Sequence, residues 1–254
     1  MAIIALRAWH LEGYEPIAEL DQRPHDLRLS KKSLLKSGLR ADFLDDAAEV
    51  KASPWFRQYL EGERVEFYIE GSGGYAIANI DLISQEIYFT KQDIAAYLEP
   101  TIVVSETVGN GGIAWATLTE SYLEGIKHQL RVPITVVRSP RLSDKTHRLT
   151  QTLSRQIKQC LVFIADTTAL TQGEAAEDLL LPSPPVVLEL GYGLAVKPAE
   201  QILVVDGTPS DTPGIYPFDL PSYQLVRCPN PDDQTARFNQ ALGDRLQQLR
   251  VFKP

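Results

Sequence analysis

Two carboxylates, Asp166 and Glu189, stand where chemistry could be done. Asp166 directly follows an apolar run, Leu161-Val162-Phe163-Ile164-Ala165, and Glu189 lies inside Leu188-Glu189-Leu190-Gly191-Tyr192-Gly193. An acid at the end of a buried strand can accept hydrogen bonds from ribose hydroxyls or a base. It can equally cap its own loop by bonding local backbone N–H groups in an Asx turn. Ser183 can cap a helix whose first turn holds Pro184 and Pro185, which places Glu189 in the second turn. Tyr192 and Gly193, three and four residues on, share its face. Glycine inside a helix costs about 1 kcal/mol relative to alanine. The pair Gly191 and Gly193 therefore predicts a close approach to this helix, by a ligand or by the sheet beneath it. For Glu189 the plainer alternative is a helix-start carboxylate favoured by the dipole.

A third feature is Gly109-Asn110-Gly111-Gly112-Ile113-Ala114, which matches G-x-G-x-x-A between an apparent strand and helix. Glycines there let backbone N–H groups approach a phosphate at the helix N-terminus. Glu106-Thr107-Val108 separates strand from glycines, and the acid expected about 20 residues further on is missing. Arg138 and Arg141, after the next strand, could pair with a phosphate or simply be solvated. A plain flexible loop remains the alternative for the glycines.

These residues need elements to hold them. From Thr101 onward strands alternate with helices, the grammar of a parallel sheet. Strands are predicted at Thr101–Ser105, Ile134–Val137, Leu161–Ala165, Ile202–Val205 and Tyr223–Val226. Helices are predicted at Ile113–Leu130, Lys145–Gln159 and Pro185–Val196, with a closing helix marked by Phe238, Leu242, Leu246 and Leu249 and capped by Asp232. The expected fold is α/β, a flavodoxin-like doubly wound five-stranded parallel sheet spanning 100–254, whose ligand sites lie beyond the carboxyl ends of its strands. The Pro-rich Thr208–Pro221 segment reads as a surface loop.

Residues 1–99 read differently, as a small α+β domain. A strand at Ile3–Trp9 is followed by a helical patch at Lys31–Ser37 and a helix opening at Ser53-Pro54. An antiparallel meander, Val65–Glu70, Tyr75–Ile83 and Gln85–Thr90, follows, with Gly71-Ser72-Gly73-Gly74 as its hairpin. No cluster there looks chemical, so oligomerisation, partner binding or regulation is the expected task.

Composition narrows the partners. The chain has 254 residues, 44% of them hydrophobic, and a formal net charge of −8. Neither part is basic: Met1–Pro100 carries 11 Lys/Arg against 17 Asp/Glu, and the remainder 14 against 16. Duplex nucleic acid is therefore not expected as a partner. Cys160 and Cys228 lack metal-type spacing and read as small buried hydrophobes, so no metal is expected. No stretch approaches the roughly 20 apolar residues of a membrane span, and the N-terminal apolar run is too short for a signal peptide. A cytoplasmic protein without a membrane partner is expected.

Val162-Phe163-Ile164-Ala165-Asp166-Thr167, Val187-Leu188-Glu189-Leu190-Gly191-Tyr192-Gly193, Ile202–Val205 and Tyr216-Pro217-Phe218-Asp219-Leu220 together resemble the TIR-like nucleotide-binding group. They are also similar to the nucleoside 2-deoxyribosyltransferases, which pair a strand ending I-A-D-x-T with an E-L-G-Y-A helix. The resemblance covers Thr101 to Pro254. It implies cleavage of an N-glycosidic bond in NAD+ or a nucleoside, with the nucleotide as substrate or ligand rather than a resident cofactor. Glu189 would be the catalytic carboxylate. Asp166 would hold substrate, Ser105 and the Gly109, Gly111 and Gly112 loop would line its phosphate or ribose side, Tyr192 would position the base, and Asp219 would join the site. A homo-oligomer is implied by the same likeness. The family's Asn-Pro-Asn-Val lead-in is replaced by Ser183-Pro184-Pro185-Val186, and an acidic Thr167–Pro182 segment suggests a lid or short helix over Glu189. Those departures favour the alternative of a signalling module that binds a nucleotide without turning it over. A third reading, an NADP-type reductase resting on Gly109–Ala114 and Arg138, lacks a Tyr-x-x-x-Lys hydride site.

Overall fold

Glycine and cap residues set the local turns on which the first part of the chain is built. The computed structural model describes residues 5–31, 40–92, 95–107, 113–140, 148–172, 179–219 and 224–253. Its chain divides into two compact units, Met1–Tyr97 and Leu98–Pro254. The first contains β1 (Ala5–His10), α1 (Ile17–Leu20), β2 (Leu27–Ser30), β3 (Arg40–Asp42), α2 (Ala47–Ala52), α3 (Pro54–Leu60), β4 (Glu66–Ile69), β5 (Gly73–Asp81) and β6 (Glu86–Gln92). All six strands form one antiparallel sheet in the order β2-β1-β4-β5-β6-β3.

The β4–β5 hairpin turns at Gly71 and Gly73, whose φ angles of 66° and 121° suit glycine and few other residues. Ser53 opens α3 by accepting the Phe56 N–H, with Pro54 in the first turn. Trp55 and Phe56 from that helix pack with Leu27, Leu29, Phe67 and Phe89 into one core cluster, while Trp9, Leu20 and Tyr68 form another. Strands β2 and β3 were not expected: at four and three residues they carry too little alternation to read, and pairing with β1 and β6 makes them strands. The helical patch expected at Lys31–Ser37 lies almost wholly outside the described residues.

The second unit contains β7 (Glu99–Ser105), α4 (Trp115–Ile126), β8 (Thr135–Arg138), α5 (Gln151–Gln159), β9 (Cys160–Asp166), β10 (Thr171–Gln172), β11 (Leu180–Leu181), α6 (Pro184–Val196), β12 (Ile202–Asp206), β13 (Leu225–Arg227) and α7 (Pro231–Gln248). Five strands form an all-parallel sheet, β13-β12-β9-β7-β8. Read from its other edge, and numbering these five strands as the chain meets them, the order is 2-1-3-4-5.

Side-chain alternation splits the helices between the two faces. Val103, Phe163, Ala165 and Val204 pack with Leu153 and Ile157 of α5 and Val186 and Leu190 of α6. On the other face Trp115 of α4 lies 5.2 Å, ring to ring, from Phe238 of α7. Among the described residues between β12 and β13 no helix forms. Pro209, Pro213, Pro217 and Pro221 recur every four residues there, and each removes a donor that a helix needs. The described part of 167–182 forms an antiparallel β10–β11 pair, while Glu174, Glu177 and Asp178, on which the expected lid or short helix rested, lie outside the described residues. Asn230, not Asp232, stands at the N-cap of α7, with Asp232 and Asp233 in its first turn. No helix among the described residues is long and apolar enough to cross a membrane.

Candidate active site

Helix α6 runs back across the sheet from the carboxyl ends of the strands towards their amino ends. Its last residues approach the start of β9, where the Lys197 ammonium donates to the Cys160 carbonyl at 2.6 Å. The opening turns of α6 therefore lie at the carboxyl edge. Ser183 occupies the N-cap position but makes no side-chain capping bond; Pro184 and Pro185 supply the helix start instead.

From this position Glu189 turns inward and is fully buried. Ser139, the first residue past β8, donates its Oγ–H to Glu189 Oε1 at 2.7 Å. The Ser139 N–H continues the sheet ladder by donating to the Val104 carbonyl at 2.9 Å, so this hydroxyl is held by the sheet itself. Ser105 has the same parity as Val103 on β7, which directs it to the α5–α6 face; it too is fully buried. Glu189, Ser139 and Ser105 thus gather at the carboxyl ends of β7 and β8. A carboxylate buried so completely requires hydrogen-bond partners. Its location is not that of a first-turn acid serving the helix dipole.

Asp166 lies at the same end of the sheet but on the opposite face. Ala165 faces α5 and α6, so Asp166 faces α4, where Oδ2 accepts the Thr107 N–H at 3.3 Å and Oδ1 accepts the Thr168 N–H at 3.0 Å. The Thr168 bond is the local loop cap allowed for in the sequence. Burial pushes the Asp166 carboxyl above its ordinary range, opposed by hydrogen bonds from Thr168 and Thr107. The Trp115 indole N–H is close enough to favour the charge, yet it meets no acceptor in hydrogen-bond geometry among the described residues. Nor does the buried Thr107 Oγ1. Asp166 and Glu189 share an edge, with the sheet between them.

Gly109, Gly111 and Gly112 lie outside the described residues, as does Arg141. The helix that follows them is described, and its N-terminus is occupied: Glu106 Oε2 accepts the Ala116 N–H at 2.9 Å. Arg138 is spoken for as well. Its guanidinium donates to Thr117 Oγ1 at 3.1 Å and pairs with Glu120 at 3.2 Å, and it lies 3.7 Å from Glu106. A carboxylate at the α4 N-terminus and two acids on Arg138 disfavour a phosphate there. Tyr192, half-buried, packs against the α5–α6 core cluster. Three residues past Glu189 it sits about 4.5 Å further from the carboxyl edge. Asp219 is exposed in the loop after β12 and makes no hydrogen bond or ion pair among the described residues.

The two glycines separate in role. A Cβ on Gly193 would meet Phe163 Cδ1 at 2.9 Å and Cε1 at 3.0 Å, so the sheet itself makes the close approach. Gly191 faces open space. Ser139 and Glu106 were missed in the sequence. Both follow a strand directly, and that position at a carboxyl edge was the available signal. No group of His, Cys, Asp and Glu among the described residues could hold a metal ion. Compared with known protein families and with curated proteins, the chain matches none.

Proposed function

We propose that the second unit is a flavodoxin-like, TIR-like or deoxyribosyltransferase-like domain that binds a nucleotide and cleaves the N-glycosidic bond of NAD+ or a nucleoside through Glu189. The observation that carries this reading is the buried Glu189 carboxylate, held by Ser139 at the carboxyl edge of the parallel sheet. The 2-1-3-4-5 strand order with helices on both faces supports the architecture, because such sheets take ligands at this edge near the strand-order reversal. That reversal falls between β7 and β9, beside Ser105.

Breaking the bond between ribose and base develops positive charge on the sugar. An ionised carboxylate beneath the ring stabilises that charge or adds to the anomeric carbon. Ser139 is a positioning residue in this scheme: its hydroxyl fixes the Glu189 carboxylate through Oε1. Base release is measured by chromatography after incubating the full chain with NAD+ and with common nucleosides. Glu189→Gln abolishes release. Ser139→Ala lowers kcat by up to about 100-fold, the scale of a misplaced catalytic group. Release that is absent for all substrates, or equal in Glu189→Gln, overturns the reading.

A second reading, nucleotide binding without turnover, is favoured by Ser183-Pro184-Pro185-Val186 standing where the resembled family has Asn-Pro-Asn-Val. Under it, nucleotides raise the melting temperature and are recovered unchanged. The homo-oligomer implied by the resemblance is consistent with Leu188 and Leu194 on the outer side of α6, 49% and 41% exposed. Sedimentation of the full chain tests it.

A further inference from the structure

A polar cavity opens at the same edge of the sheet, beyond β12 and β13. It measures about 290 Å³ and is lined by Asp206, Thr208, Ser210, Thr212, Tyr216 and Arg227 among others. Three strand spacings separate β12 from β8, about 14 Å, so this cavity is removed from the Ser139–Glu189 pair.

Its walls are tied in place. The Tyr216 hydroxyl donates to the Thr167 carbonyl at 3.0 Å and pairs with Thr208 Oγ1 at 3.1 Å, which in turn accepts the Ala169 N–H at 3.0 Å. The Leu180 N–H donates to the Ile215 carbonyl at 2.8 Å, fastening the outer loop to β11. The described part of the loop carries Pro209, Pro213 and Pro217 and is anchored on both sides, which makes a preformed wall.

Two charged groups face this space. Asp206, the last residue of β12, is 5% exposed; its Oδ1 accepts the Thr208 N–H at 2.9 Å, and its carboxylate lies near enough to the Tyr216 hydroxyl to oppose that group's ionisation. Arg227, the last residue of β13, is exposed and makes no ion pair or hydrogen bond among the described residues. Arg237, which with Arg227 lines the surface between β13 and α7, is paired with Asp233 at 2.7 Å, so among the described residues of these two elements Arg227 is the guanidinium left for an anion. An acid closing a parallel strand suits a pair of sugar hydroxyls, and a guanidinium suits a phosphate by its planar fork of donors. The volume lies at the small end of ligand pockets, right for one sugar ring with one phosphate rather than a dinucleotide.

We propose that the cavity beyond β12 and β13 binds a small sugar phosphate, with Arg227 holding the phosphate and Asp206 the sugar hydroxyls. The site is independent of Glu189. Calorimetric titration of the full chain compares ribose 5-phosphate, ribose, inorganic phosphate and alanine. Ribose 5-phosphate binds saturably, and ribose and phosphate bind at least about tenfold more weakly, each lacking one charge-assisted set of hydrogen bonds. Arg227→Ala and Asp206→Asn each weaken ribose 5-phosphate binding by about tenfold or more. The asparagine still accepts the Thr208 N–H, and Arg227 is a surface residue, so circular dichroism of both variants matches the parent. Glu189→Gln leaves this binding unchanged. The proposal is overturned by the absence of saturable ribose 5-phosphate binding, by equal affinity for inorganic phosphate or preference for alanine, by binding that survives Arg227→Ala, or by binding lost in Glu189→Gln.

Discussion

Gly191 and Gly193 sit two residues apart in α6 and should respond to the same substitution with opposite signs. Replacing a helical glycine by alanine stabilises a helix by about 1 kcal/mol where the new methyl group has room. Gly191 has that room, with no atom within 4 Å of an added Cβ, so Gly191→Ala raises stability by roughly that amount. At Gly193 the same gain is opposed by contacts of 2.9 and 3.0 Å to the Phe163 ring, itself fully buried between α5 and α6. Overpacking a filled core costs about 1–3 kcal/mol. The propensity gain is common to both variants and cancels in their difference, which therefore reports the Phe163 clash alone at about 1–3 kcal/mol. The unit spans Leu98–Pro254, and for a domain of this size each kcal/mol moves the melting temperature by roughly 2–4 °C. Calorimetry of the two variants beside the parent should show Gly191→Ala above Gly193→Ala by roughly 2–12 °C. Equal shifts, or Gly193→Ala melting higher, would refute the account of α6 packing on which the placement of Glu189 depends.

Further outcomes follow from the same geometry. Glu106→Ala removes the acceptor for the Ala116 N–H and lowers stability by about 1 kcal/mol, whereas Glu106→Gln, which keeps an acceptor, costs less; urea denaturation measures both. If the α4 N-terminus were a phosphate site, Glu106→Gln would tighten nucleotide binding; unchanged affinity is expected. Burial raises the Asp166 carboxyl, so the folded state binds its proton more readily than the unfolded chain does. Its contribution is then fully present below the unfolded carboxyl pKa and is lost as pH rises through the folded one. Asp166→Asn should accordingly gain in relative stability from acid towards neutral pH. Melting temperatures of both proteins across that range test it, and a constant difference would contradict the assignment.

How much of this was legible in the residues varies along the chain. The strand and helix alternation after Thr101 could be read because each parallel strand is a short apolar run and each helix shows a three-to-four repeat. Leu161–Ala165 and Ile202–Val205 appear as β9 and β12, each one residue longer at its carboxyl end, and β9 also one residue longer at its start. Glu189 could be singled out because a charged residue flanked by Leu188 and Leu190 in a helix invites an explanation. The N-terminal strands β2 and β3 could not be read, since three or four residues carry no period of their own.

The chain's own pattern determined that a parallel sheet would bring Asp166 and Glu189 to one edge, because strand ends and helix starts follow from local periodicity. Only the tertiary structure decided which side of the sheet each would occupy. A one-residue difference in strand parity turns a side chain to the other face, and that parity is set by which residues the α5–α6 layer buries. The same holds for Arg138, open to a phosphate in the sequence and claimed in the fold by Glu106 and Glu120. Ser139 gained its place beside Glu189 for the same reason: a hydrogen bond spanning 50 residues has no signature until β8 and α6 are packed together.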